Sequence, residues 1–169
     1  MNYKRTLYIV EGKCEKQLIE ALKEEPGIIS PGEVKEINVV HQIIPRRIIN
    51  MIRAGTRVVF VFDTDVEQTQ ILRENINHVK KYAALVKVIT IPQVLNFEDE
   101  IVRSTDVRKA KELTKSSGVS GFKNDFCKLK VSECRNTLNR HHFDVNLLWN
   151  QNAPTAFSFV NQGSKYIKI

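Results

Sequence analysis

A chain of 169 residues with 42% hydrophobic and 27% charged residues can bury a core without staples, which excludes the disordered and fibrous classes. Three cysteines with no C-x-x-C pair fit reduced thiols. The apolar run in "MNYKRTLYIVEG" is too short for a signal peptide or a membrane span, so a cytoplasmic protein without a membrane partner is expected. The net charge of +7 is uneven: residues 1–102 hold 14 basic and 14 acidic side chains, and residues 103–140 hold 10 basic against 4 acidic. A neutral front and a basic back suit a polyanionic partner; a solvated, lysine-rich helical surface reads the same way.

The front half alternates between strand and helix patterns. "KRTLYIV" (4–10) predicts a strand, and "CEKQLIEALKEE" (14–25) an amphipathic helix with Leu18, Ile19 and Leu22 on one face. Residues 26–33 form a turn-rich loop, and "VKEINVV" (34–40) a second strand. "PRRIINMIRAG" (45–55) predicts a short helix, with Pro45 in its first turn and Gly55 past its end. The apolar run "RVVFVF" (57–62) reads as a strand buried on both faces. A helix over 66–83 and a strand over 85–91 follow. The order β-α-β-α-β-α-β predicts an α/β fold: a mainly parallel, Rossmann-like four-stranded sheet flanked by helices. Beyond Pro92 the pattern turns helical, over 96–105, 106–114 and 121–140, with a flexible link at 115–121. A short helix over 143–151 and an extended or strand-like tail complete the chain. Residues 1–102 are expected to form the α/β core, and 103–169 a basic helical extension packed on it within one structural domain.

Ligands of open parallel sheets bind beyond the carboxyl ends of the strands. Three acidic segments fall there: Glu11 after the first strand, Asp63 and Asp65 after the third, and Glu98, Asp99 and Glu100 after the fourth. If the first and third strands are neighbours, Glu11 and Asp63 lie about 5 Å apart and repel by roughly 3 kcal/mol at an effective dielectric near 20. A cation or a shared proton must offset this. Oxygen donors alone favour Mg²⁺, Mn²⁺ or Ca²⁺ over Zn²⁺.

"YIVEGKCEKQLIEALK", with "FVFDTD" some fifty residues on, resembles the Toprim domain. That domain is shared by topoisomerases, bacterial primases, maturation nucleases and nucleases of the overcoming-lysogenization-defect type. Its pattern is a glutamate closing the first strand and D-x-D closing the third, matched here by Glu11 and by Asp63 and Asp65. The "EGKCE" form is closest to the nuclease branch, and "NFEDE" (96–100) resembles an element of small Toprim-like phage-defence proteins. The resemblance covers residues 4–102. Many Toprim domains carry a further glycine and acid near the end of strand two, where this chain has "VVHQIIPRR". The resemblance implies a Toprim-like core and a Mg²⁺- or Mn²⁺-dependent endonuclease acting on DNA or on RNA such as tRNA, in the setting of phage defence. Glu11, Asp63 and Asp65 would hold metal, with Glu15 or Glu98 completing a second site. Lys13 would stabilise charge developing on phosphate. Arg46 and Arg47 would clamp substrate, and the basic helices carrying Lys123, Lys128 and Lys130 would track its backbone.

Each residue also has a plain structural reading. Asp63 or Asp65 can cap the next helix, while Glu15, Glu98 and Asp99 can be ordinary first-turn acids. Cys127, Cys134 and the His141-His142 pair fit no standard zinc spacing. His41 reads as an ordinary polar residue, and Trp149, Phe143 and Phe157 as core of the helical half. A receiver module needs paired acids after strand one and a lysine after a fifth strand, and neither is evident. A haloacid-dehalogenase-type phosphatase needs D-x-D on the first strand and a threonine where this chain has Glu67. No nucleotide-binding G-x-x-x-x-G-K-[ST] is present. An ATPase or other regulatory subunit is therefore an expected partner, a non-catalytic Toprim subunit is the alternative, and a homo-oligomer is compatible with the sequence.

Overall fold

Near-continuous apolar runs in three segments commit the chain to a sheet covered on both faces. The computed structural model describes residues 3–66, 68–83 and 85–169; Glu67 and one end of the helix expected over 66–83 touch positions outside these. Strands β1 (Arg5–Val10), β2 (Glu33–Glu36), β3 (Thr56–Asp63) and β4 (Lys87–Gln93) form an all-parallel sheet in the order β2-β1-β3-β4. This is the expected Rossmann-like α/β architecture, with β1 and β3 adjacent at the centre.

The sheet's alternation sorts its side chains into two cores. Tyr8, Val10, Val59, Val61, Ile89 and Ile91 face helices α1 (Lys13–Lys23), α4 (Phe97–Ser104), α5 (Ala110–Leu113), α6 (Val119–Lys128) and α7 (Val131–Arg140). Leu7, Ile9, Val58, Phe60 and Phe62 face α2 (Arg46–Met51) and α3 (Gln70–Tyr82). Each large side chain fully buried here stabilises the fold by about 1.5–3 kcal/mol. Helices α6 and α7 both pack on α1, so the basic segment and the α/β segment share one hydrophobic cluster.

Five expectations are corrected. The second strand ends at Glu36, and residues 37–40 leave the sheet although Ile37, Val39 and Val40 are buried. Their apolarity serves packing under α3, where Asn75 accepts from Ile44 N–H and donates to Val39 and Gln42 carbonyls. The helix expected over 121–140 is two helices, broken where Leu129 (ψ 141°) and Lys130 (ψ 154°) turn extended. The link expected over 115–121 already includes the start of α6, capped at Gly118. Residues 143–151 form turns rather than a helix, with Trp149 at φ 53°. Trp149 is core on the α1 face as expected, but Phe157 packs on the opposite face, against Phe62.

The segment after Pro154 wraps the sheet. It starts with a 3₁₀ turn (Thr155–Phe157) on the α3 face, passes β4 at residues 161–163, and makes a second turn (Ser164–Tyr166). It ends on the α1 face, where Lys168 pairs with Ile29 in an isolated antiparallel bridge. No helix among the described residues is long and apolar enough to cross a membrane.

Candidate functional site

The order β2-β1-β3-β4 puts a topological switch between β1 and β3, because their crossovers leave toward opposite faces. Glu11 follows β1 and Asp63 closes β3, so both carboxylates fall at that switch. Glu11 is held on two sides: its Oε2 accepts from Asp63 N–H at 3.0 Å, and its Oε1 accepts from Asn38 Nδ2 at 2.8 Å. Asn38 stands in the turn after β2. This chain therefore supplies an amide at the strand-two corner of the site.

Thr64 explains why β3 ends as Asp-Thr-Asp. Its hydroxyl donates to Gln93 O at 2.9 Å and accepts from Leu95 N–H at 3.1 Å, and its own N–H donates to Gln93 O and Leu95 O. The buried middle residue thus staples β3 to the loop after β4, leaving an aspartate on either side. Thr64→Val keeps the shape but removes both hydroxyl bonds. It should cost about 1–3 kcal/mol in urea unfolding, and an unchanged midpoint would refute the staple.

Glu15, in the first turn of α1, is 5% exposed and accepts from Gly12 N–H at 3.0 Å. Gly12 is tight against it: a Cβ there would stand 3.3 Å from Glu15 Oε2. The carboxylate that caps α1 therefore also lines the cleft between the strand ends. Burial, followed by the charge of Glu11, outweighs the backbone bonds and pushes the pKa of Glu15 up to about 7. Asp63 is pushed further, to about 9, first by burial and then by the charges of Glu15, Glu11, Asp65 and Glu98. Its Oδ1 is buried with no hydrogen-bond partner among the described residues.

Glu11, Gly12, Glu15 and Asp63 line a cleft of about 560 Å³ that also takes in Lys13, Glu36, Lys123 and Lys128. Lys123 comes from α6 and its Nζ lies 3.0 Å from Glu98 Oε1. Burial works against its charge, but the bond to Glu98 and the charges of Glu98 and Asp63 prevail and hold its pKa above the usual lysine range.

The other residues singled out by sequence scatter. Asp65 is exposed and acts on Asp63 through its charge. Arg46 lies 4.5 Å over the ring of Tyr82, at the end of α3 from which the chain enters β4, and Arg47 is exposed; neither lines the cleft. Lys130 caps α7, its N–H donating to Glu133 Oε2 at 2.9 Å. Asp99 N–H is capped by Asn96, and Glu100 is fully buried. Cys127 and Cys134 sit on separate helices, while His141 pairs with Asp106. His41 is an exposed residue of a turn. Among the described residues, no three His, Cys, Asp or Glu side chains converge tightly enough to hold an ion by themselves.

Sequence reasoning missed Asn38 and Thr64. The only hint for Thr64 was its place inside D-x-D, and Asn38 carried none. In comparisons with known proteins, no family model, curated protein or solved structure matches the chain.

Proposed function

We propose that the chain is a Toprim-type, Mg²⁺- or Mn²⁺-dependent nuclease that cleaves phosphodiester bonds of DNA or RNA in the cytoplasm. The observation that carries this reading is the meeting of Glu11 and Asp63 at the switch between β1 and β3, with a buried carboxylate oxygen of Asp63 unpartnered among the described residues. The donor set fits a hard cation. Mg²⁺ is commonly held by one or two carboxylates, keeping waters and taking substrate phosphates for the rest. Glu11 and Asp63 would supply that pair, with Glu15 and Glu98 at hand and Asp65 adding charge. When bound, the cation lowers the pKa of a water and neutralises charge on the scissile phosphate.

The protein's own groups do the remainder. Asn38 fixes the orientation of Glu11, and Glu15, pushed up to about 7, is suited to hold a proton near neutrality. Lys13, Lys123 and Lys128 share the cleft with the carboxylates and provide cations for phosphate contacts whose strength falls with salt.

The test is calorimetric titration of Mn²⁺ and Mg²⁺ into wild type, Glu11→Gln and Asp63→Asn, followed by incubation with plasmid DNA and with bulk tRNA. Wild type should bind, each variant at least tenfold more weakly, and cleavage of one polymer should require metal. Binding without cleavage would favour a subunit switched on by a partner. No binding at millimolar metal would end the nuclease reading.

A further inference from the structure

Two cysteines line the carboxylate cleft. Cys14, on the first turn of α1, and Cys127, on the last turn of α6, place their Sγ atoms 3.1 Å apart. Both line the cleft shared by Glu11 and Asp63. A disulfide bond is about 2.05 Å long, so a shift of roughly 1 Å would join them. Cys127 is half-buried and lines the cleft, whereas Cys14 is 8% exposed. Cys134, the third cysteine, is fully buried on α7. Nothing in the proposed nuclease chemistry uses either sulfur.

We propose that Cys14 and Cys127 form an oxidative modification site, at which a hydroperoxide makes an intramolecular disulfide that staples α6 to α1 beside the cleft. The Cys127 thiolate attacks one peroxide oxygen, the O–O bond breaks, and the leaving oxide departs as water or alcohol after taking up a proton. Cys127 is then a sulfenic acid. The Cys14 sulfur attacks the sulfenic sulfur, the S–S bond forms, the S–O bond breaks, and water leaves with the Cys14 proton. Two thiols have lost two electrons and the peroxide has gained them. Lys123 sits one turn before Cys127 on α6, so the bond fixes that lysine over Glu98. The inference stands on the paired sulfurs and holds whether or not the carboxylates bind metal.

The test is oxidation of the reduced full chain with hydrogen peroxide, alkylation of the remaining thiols, and mass spectrometry of the intact protein and its peptides. Before alkylation the oxidised wild type should be about 2 Da lighter than the reduced chain, two hydrogens per disulfide; after alkylation its peptides should show one linked pair carrying Cys14 and Cys127, with Cys134 as the alkylated thiol. Reductant should reverse the change. A link closing a long loop should raise the melting temperature of the oxidised form by roughly 5–10 °C. Cys134→Ser should behave as wild type, and Cys127→Ser should form no link. Unchanged mass, a Cys127–Cys134 link, or sulfinic acid on Cys127 without a cross-link would each overturn the proposal.

Discussion

In metal-free buffer at pH 8, Asp63→Asn is expected to unfold at a higher temperature than the wild type, with the gap closing as pH falls toward 4. The folded-state pKa of Asp63 is raised from the ordinary 3.8 to about 9, so between those values the folded protein holds a proton that the unfolded chain releases. The unfolded state then binds fewer protons, and stability falls as pH rises, by up to about 1.4 kcal/mol per pH unit for one such group. Glu15, raised to about 7, acts in the same direction until pH passes its own value. An asparagine amide at position 63 carries no proton to lose and can donate to the surrounding carboxylates. The expected gain at pH 8 is about 2–4 kcal/mol, below the sum of the slope because the site relaxes and admits water. Calorimetric scans at half-unit pH steps in chelator measure it. Parallel curves for the two proteins would show that Asp63 titrates normally.

The largest loss of stability is expected at Glu100, two residues from Glu98 and indistinguishable from it by composition. Glu100 Oε1 accepts from Val94 N–H at 3.0 Å and from Arg103 Nη2 at 2.6 Å, and Oε2 accepts from Trp149 N–H at 2.9 Å. Its side chain is 0% exposed. Glu100→Ala strips partners from two backbone donors and a guanidinium, and should cost about 3–5 kcal/mol. Glu98→Gln disturbs a pair whose lysine side chain is 53% exposed and should cost about 0–1 kcal/mol. Urea midpoints at unchanged m-value decide between them. Equal losses would mean that the two carboxylates are structurally equivalent.

The contrast between Glu98 and Glu100 also shows where sequence reading stops. Three strands were legible because "YIV", "VVFVF" and "VITI" leave few polar positions, and the placement of Glu11 and Asp63 at one edge followed from strand order. Residues 37–40 misled because buried apolar side chains look alike whether the backbone pairs in a sheet or turns under a helix. The break between α6 and α7 has no proline or glycine to mark it; the available signal was Glu133, three residues after Lys130, reaching back to the N–H of Lys130. Thr64 and Asn38 act through bonds to segments far away in sequence, and periodicity carries no information about such partners. Arg46 and Arg47 shared a helix start with the expected site edge, yet Arg46 stacks on Tyr82 instead, a choice made by tertiary packing.

Strand β4 is the outermost strand on its side, and its far backbone row faces residues 161–163. Gly163 N–H donates to Thr90 O at 2.8 Å, Thr90 Oγ1 donates to Asn161 O, and Gln162 Nε2 donates to the carbonyl of Pro92. The fit leaves no room for a side chain at 163, where a Cβ would come within 2.5 Å of Ile89 Cγ2. An uncovered strand of this kind is a template for pairing with another molecule. The wrapping segment therefore acts as a guard against self-association, helped by Pro92, which offers no N–H to an incoming strand. Loss of that segment would expose Lys87–Gln93 to neighbouring copies and favour sheet-to-sheet polymerisation.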